Sequence, residues 1–331
     1  MRDRYSHRER IEMIMLGEKP DRFAASVWRH FFHKESDIDG LVEAMLDFQK
    51  RFDWDFMKIN PRASYHVEDW GNKLIWSRDE FTHHQKVDFA VKSITDWLRI
   101  AEKPPLDKVR SDHLTAVRMI RKACGPDLPL MMTIFCPLGV ARYLVGSEEK
   151  LREHLAEDSK AVITALENIA LIYEKYARDC IDAGADGIFY ATLEWASSET
   201  ITYEQYERLG KPYDLRILKA AGDNALNILH VCHSNNYLRQ MADYPVRLIN
   251  WEAYDPTNPD IDSVFGFLGD KTVIAGLDNQ GWLWHGKPDE ITGEIAKIKE
   301  RMSGKRFIFG PGCAIAPEIS YSNLAAVRKS L

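Results

Sequence analysis

Cysteine is scarce in this chain, and the five present (Cys124, Cys136, Cys180, Cys232 and Cys313) are scattered and odd in number. That pattern argues against a disulfide framework and for a reducing compartment. No apolar run approaches the roughly 18–20 residues that cross a bilayer. The opening MRDRYSHRER lacks an apolar h-region, so no signal peptide is expected. Excess charge is small too: 44 Lys and Arg against 50 Asp and Glu leave a net charge of −6, with no overall basic field for nucleic acid. A low-complexity stretch and an interdomain linker are both missing. What remains is 331 residues, 45% hydrophobic and 28% charged, the profile of one cytoplasmic globular domain over residues 1–331 with the size of an enzyme.

Short apolar runs alternate with helical patterns along the chain. Ser6 and Glu9 form an S-x-x-E capping box ahead of the first helix. Strands are predicted at Phe23–Trp28, at a run ending near Asn60, and at Leu130–Phe135, Ala185–Tyr190, Ala225–Val231, Val246–Trp251, Thr272–Ala275 and Arg306–Phe309. Helices are predicted between them, including Thr202–Ala221 and Pro288–Met302. Residues 64–92 interrupt this rhythm, and Tyr65–Trp76 alternates about Gly71-Asn72 as a β-hairpin would. That insertion is either a lid or an oligomer contact, and a homodimer is one expected assembly. Eight strands alternating with helices predict a (β/α)8 TIM barrel with a hairpin insertion after strand 2. An open doubly wound sheet is the competing fold, but no G-x-G-x-x-G follows the first strand to support a dinucleotide-binding version.

Barrel chemistry lies at the C-terminal strand ends. Those ends carry Trp28, Arg29, His30, Asn60, Tyr190, Glu194, His230, Cys232, Trp251, Glu252, Asp278, Asn279 and Cys313. In NILHVCHSNN, His230 and Cys232 stand two apart, so they share one face of a strand. Adding Cys313, from FIFGPGCAIA, makes a His/Cys/Cys set of the kind zinc favours, with one position left open. Glu252 is a candidate fourth ligand, the alternative being a surface loop glutamate. Asp278 is a candidate to polarise the ligand histidine or to hold substrate, the alternative being a turn residue. Trp28, Arg29, His30, Asn60, Tyr190, Glu194, Trp251 and Asn279 are expected to contact substrate. Trp195, Trp251, Trp282 and Trp284 are candidates to line the mouth.

The landmarks LGEKPDR, PLMMTIFCPLGVARYLVG, GADGIFY, ILHVC, AGLDN and FIFGPGC resemble the uroporphyrinogen decarboxylase superfamily over nearly the whole chain. The resemblance implies a (β/α)8 barrel and one of two chemistries: decarboxylation of a tetrapyrrole without a cofactor, or zinc-dependent methyl transfer from a methyl-corrinoid protein to a thiol. His230-Val231-Cys232 with distant Cys313 is similar to the H-x-C…C zinc motif of the methyltransferase branch. Cobalamin-independent methionine synthase is similar in having a glutamate where Glu252 stands. The decarboxylase motif has paired arginines after the first strand, whereas here Arg29 is followed four residues on by His33, with Arg62 and Arg142 as possible substitutes. The expected activity is zinc-dependent transfer of a methyl group from a methyl-corrinoid on a partner protein to a thiol. The alternatives are a tetrapyrrole decarboxylase and a corrinoid- or tetrapyrrole-binding protein without turnover.

Overall fold

A computed structural model of the chain describes residues 4–102, 106–223 and 225–331. Its centre is a curled, wholly parallel sheet of seven strands. In chain order the strands of the molecule are β1 (Met57–Ile59), β2 (Lys73–Ile75), β3 (Gln85–Asp88), β4 (Leu130–Phe135), β5 (Gly187–Ala191), β6 (Ile228–Val231), β7 (Leu248–Trp251), β8 (Thr272–Leu277) and β9 (Phe307–Pro311). The sheet order is β1-β4-β5-β6-β7-β8-β9, while β2 and β3 pair with each other. Each of the seven sheet strands is buried at every position, as expected where both faces of a parallel sheet are covered.

Helices cover the outside through one apolar stripe each. Ser159–Asp182 buries Val162, Ala165, Leu166, Ile169, Ala170, Tyr173, Tyr176, Ala177 and Cys180, a 3.6-residue repeat facing the sheet. The Asp158 carboxylate accepts from Lys160 and Ala161 N, both at 3.1 Å, and closes its first turn. The Ser6–Glu9 capping box starts the helix His7–Leu16. Among the described residues no helix is long and apolar enough to cross a membrane.

Three expectations need correction. Phe23–Trp28 has no ladder of its own and makes one parallel bridge, Ala25 to Phe309. Ser26 N donates to Phe309 O at 2.9 Å, and Asp55 N donates to Ala25 O at 2.8 Å. This extended segment thus touches β9 on one side and the approach to β1 on the other. The buried Asp55 carboxylate fixes it there, accepting from Ala25 N at 2.9 Å and binding Arg10 and Arg22, each at 2.7 Å.

The hairpin also differs from expectation. Tyr65–Glu68 is a short helix, and Gly71 (φ 110°) lies just beyond it. The antiparallel pair is β2 with β3, 73–75 against 85–88. Its tip folds over the end of the 23–28 segment, with Arg29 Nη2 2.7 Å from Glu80 and His84 Nε2 3.3 Å from Glu35. Finally, the helix expected over Thr202–Ala221 is broken at Gly210 into Tyr203–Leu209 and Lys211–Ala220.

Candidate metal centre

Strand β6 alternates His230 inward and Val231 outward, and the chain then turns Cys232 back to the inside. Cys313 arrives from the loop after β9. One ligand atom each from His230, Cys232 and Cys313 lies within 4.8 Å of the others. The two sulfurs are 3.9 Å apart. Three soft donors from separated parts of the chain therefore converge on one point.

The histidine is held for this task. Register places Asn250 of β7 directly opposite His230. The Asn250 amide is wholly buried, and its Nδ2 donates to Ile274 O at 2.8 Å and Pro311 O at 3.0 Å. Its Oδ1 is thereby committed as an acceptor, 2.6 Å from His230 Nδ1. His230 must carry its proton on Nδ1, which leaves Nε2 as a lone-pair donor.

The pairing pushes the two thiols in opposite directions. A hydrogen bond from Cys232 holds Cys313 well below the usual thiol range, against burial and with help from His230. The same pairing, with burial, pushes Cys232 up. Burial, with Cys313 next in weight, raises Glu252 to about 7.

These residues fit zinc. With Zn–S bonds of ~2.3 Å, tetrahedral geometry needs sulfurs about 3.8 Å apart, and the 3.9 Å spacing meets that. Thiolate and neutral imidazole donors are zinc ligands, unlike the oxygen sets of magnesium and calcium.

Two cavities meet at the sulfurs. The outer one, about 620 Å³, is lined by Cys232, Cys313, Glu252, Tyr254, Asp278 and Asn279 among others. The inner one, about 180 Å³, is lined by Cys232, Cys313 and His230 together with Trp28, His30, Lys58, Asn60 and Phe189. Of the residues expected to contact substrate, Trp28, His30 and Asn60 thus face the inner cavity and Asn279 the outer. Asn279 Oδ1 also accepts from Gly312 N at 3.0 Å, steadying the turn before Cys313. Asp278 Oδ1 accepts from Gly281 N at 2.8 Å, and the partner of His230 is Asn250.

The others point elsewhere. Tyr190 pairs in register with Leu229, so it faces opposite to His230, and its hydroxyl donates to Asp214 at 2.6 Å. Trp251 pairs with Val231, and its Nε1 donates to Pro259 O at 2.8 Å. Arg29 is taken by Glu80, and Glu194 lies 2.9 Å from Arg142. Trp195, Trp251, Trp282 and Trp284 are not among the residues lining either cavity. Sequence reading missed Asn250 and Lys58. For Lys58 a signal existed, since it lies on β1 two residues before Asn60, which follows the strand's end. Burial lowers the Lys58 ammonium to about 7, opposed by Cys313 and Cys232.

The fold and this centre place the chain among known proteins: it belongs to the uroporphyrinogen decarboxylase (URO-D) family, which it matches over residues 15–331. Methylcobamide:CoM methyltransferase MtbA of Methanosarcina mazei is 26% identical over 215 residues, covering 64% of this chain and 60% of that protein. Methylcobamide:CoM methyltransferase MtaA of Methanosarcina barkeri is 26% identical over 217 residues, covering 65% and 61%. The match to this chain thus spans about 60% of the length of these relatives. A solved methyltransferase from Methanosarcina mazei has a TM-score of 0.78 at 18% identity, covering 98% of both chains. A B12-independent methionine synthase from Shewanella sp. W3-18-1 has a TM-score of 0.59 at 13% identity, covering 93% of this chain and 96% of that one. These two structures bear on the fold alone.

Proposed function

We propose that this chain is a zinc-dependent methyltransferase that moves a methyl group from a methyl-corrinoid, carried by a partner protein, to a small thiol. The observation that carries the reading is the convergence of His230, Cys232 and Cys313 within 4.8 Å. The activity named for the relatives, methylcobamide:CoM methyl transfer, supports it. We read the curled sheet plus residues 23–28 as a (β/α)8 barrel, with its chemistry at the C-terminal strand ends.

When bound by His230, Cys232 and Cys313, zinc supplies a Lewis acid that lowers the pKa of a thiol and orients the nucleophile. Asn250 keeps the His230 lone pair available, and Asn279 holds the turn that brings in Cys313. Glu252, beside Cys313 on the outer side, is our candidate fourth ligand. Trp28 and Phe189 wall the inner cavity with apolar surface and limit water around the acceptor. In the transfer itself the acceptor thiol releases its proton to solvent and its sulfur forms the new S–C bond. The Co–C bond breaks, and its electron pair stays on the corrinoid.

A polycarboxylate decarboxylase would need free arginines. Arg29, Arg62 and Arg142 instead lie 2.7, 2.7 and 2.9 Å from Glu80, Glu68 and Glu194, and no arginine is among the residues lining the inner cavity. The test is the metal content of protein prepared under reducing conditions with zinc supplied, followed by methyl transfer from methylcobalamin to a thiol panel. About one zinc per chain, lost in Cys232→Ser and Cys313→Ser together with activity, is the expected result. Metal-free wild-type protein would sink the proposal and turn attention to porphyrinogen decarboxylation and tetrapyrrole binding.

A further inference from the structure

Glu35 is a buried carboxylate, its side chain 1% exposed, set against an imidazole. His30 Nδ1 lies 3.0 Å from its Oε2 and 3.2 Å from its Oε1, and Phe31 N donates to Oε2 at 3.2 Å. From the β2–β3 hairpin, His84 Nε2 approaches Oε1 to 3.3 Å, and His84 Nδ1 accepts from Ser77 N at 3.0 Å. Burial opposes ionisation of Glu35, but the two imidazoles outweigh it and hold its pKa at about 2. An anionic acceptor at Nδ1 draws the proton of a neutral His30 there and leaves the Nε2 lone pair for a second partner. Among the described residues nothing hydrogen-bonds to that Nε2.

His30 lines the inner cavity beside Cys232, Cys313, His230 and Lys58. The other imidazoles of that wall are committed. His66 Nε2 accepts from Phe135 N at 2.9 Å while its Nδ1 faces Ala63 O at 3.3 Å. His230 is turned by Asn250. Tyr143, whose phenol burial pushes up, is an acid at neutral pH, and Lys58 is buried with its ammonium 4.6 Å from the Phe189 ring. His30 keeps 21% of its side chain exposed, so it touches both the cavity and water. Around the pair stand His83 and His84 of the hairpin, Lys58 of β1 and Arg29, which is taken by Glu80.

We propose that His30, held by Glu35, takes the proton that the acceptor thiol loses and hands it on to solvent. The inference rests on the methyltransferase reading for the acceptor, but its test needs no turnover. The S–H bond breaks, its electron pair stays on sulfur, and an N–H bond forms at His30 Nε2. The imidazolium faces the Glu35 carboxylate through Nδ1–H and gives its Nε2 proton to water.

Calorimetry of zinc-loaded protein in buffers of low and high ionisation enthalpy counts the protons released as a thiol binds. The thiols are 2-mercaptoethanol and 2-mercaptoethanesulfonate, and 2-(methylthio)ethanol, with no proton to lose, should release none. A thiolate beside an imidazole raises its pKa by about a unit or more, so midway between the two values the ring retains about half a proton. Release should therefore dip from a full proton to about half within roughly pH 6–8 and recover above that range. His30→Gln should release a full proton throughout, at unchanged zinc content. In Glu35→Gln the dip should move to lower pH by about a unit, and Lys58→Met should keep it. A flat release in wild type, a dip unaltered in whichever of His30→Gln and Glu35→Gln folds, or a dip lost with Lys58 overturns the proposal. Failure of both thiols to bind does the same. Flat release in a protein that transfers methyl groups would discard His30 and keep the methyltransferase. A dip lost with His30, in a protein that transfers none, would do the reverse.

Discussion

Asn250→Ala isolates the device that sets the histidine tautomer. The substitution removes three hydrogen bonds, at 2.6 Å to His230 and at 2.8 and 3.0 Å to Ile274 O and Pro311 O. Two buried carbonyls and one ring N–H lose their partner. At roughly 1 kcal/mol for each bond, metal-free protein should lose about 3 kcal/mol of stability. The effect on zinc is separate: partners of ligand histidines typically govern 10–100-fold of metal affinity, or about 1.4–2.7 kcal/mol. Competition with a chromophoric chelator measures that affinity, and thermal unfolding of the metal-free protein measures the rest. Tyr190→Phe serves as the control, since it removes a buried 2.6 Å bond to Asp214 on the opposite face of the sheet. It should melt earlier and bind zinc as wild type does. If Asn250→Ala bound zinc within about threefold of wild type, Asn250 would not be what orients His230. An equal loss in Tyr190→Phe would mean that general destabilisation, not orientation, weakens the site.

Two other predictions lie outside the ligand set. Burial opposes a charge on His7, but hydrogen bonds to Asp53 and Asp55 outweigh it and raise its pKa from 6.5 to about 9. A raised histidine stabilises fully below the unfolded value and stops doing so as pH climbs through the folded one, so the window is pH 6.5 to about 9. His7→Ala should lose on the order of 2 kcal/mol near pH 6, allowing for the exposed Asp53, and should flatten the fall in melting temperature across that window. An unchanged slope would refute the linkage. Near the metal centre, a Cβ on Gly312 would lie 2.3 Å from Glu252 Oε2 and 3.2 Å from its Cα. Because one neighbour is backbone, Gly312→Ala should displace Glu252 or the Cys313 turn and weaken zinc binding by about tenfold. Wild-type affinity in the chelator assay would show the turn free to relax.

The convergence of His230, Cys232 and Cys313 was legible because its signal is local and redundant. His230 and Cys232 sit at strand spacing after an apolar run, and Cys313 stands just past another, at the start of the last loop of the chain. Helix starts were legible for the same reason: the Ser6–Glu9 box needs three residues of sequence and nothing else. Hairpin register was not, because Gly71 marks a turn in either conformation. It follows a short helix here, and the antiparallel partners of 73–75 come from 85–88.

Chain order alone determined the alternation of strands and helices, the identity of the candidate soft donors and the absence of a basic or membrane-spanning element among the described residues. Tertiary structure decided which way each strand-end side chain points. Tyr190 and Trp251 were expected at the mouth, yet cross-strand register aligns them with Leu229 and Val231 and turns them outward. Their neighbours Phe189 and Asn250 face in. A strand has a period of two residues, so a one-residue error in phase exchanges inside for outside. That phase is set by pairing with strands twenty or more residues away, which is why Lys58 and Asn250 became visible as parts of the site only when the sheet was curled around them.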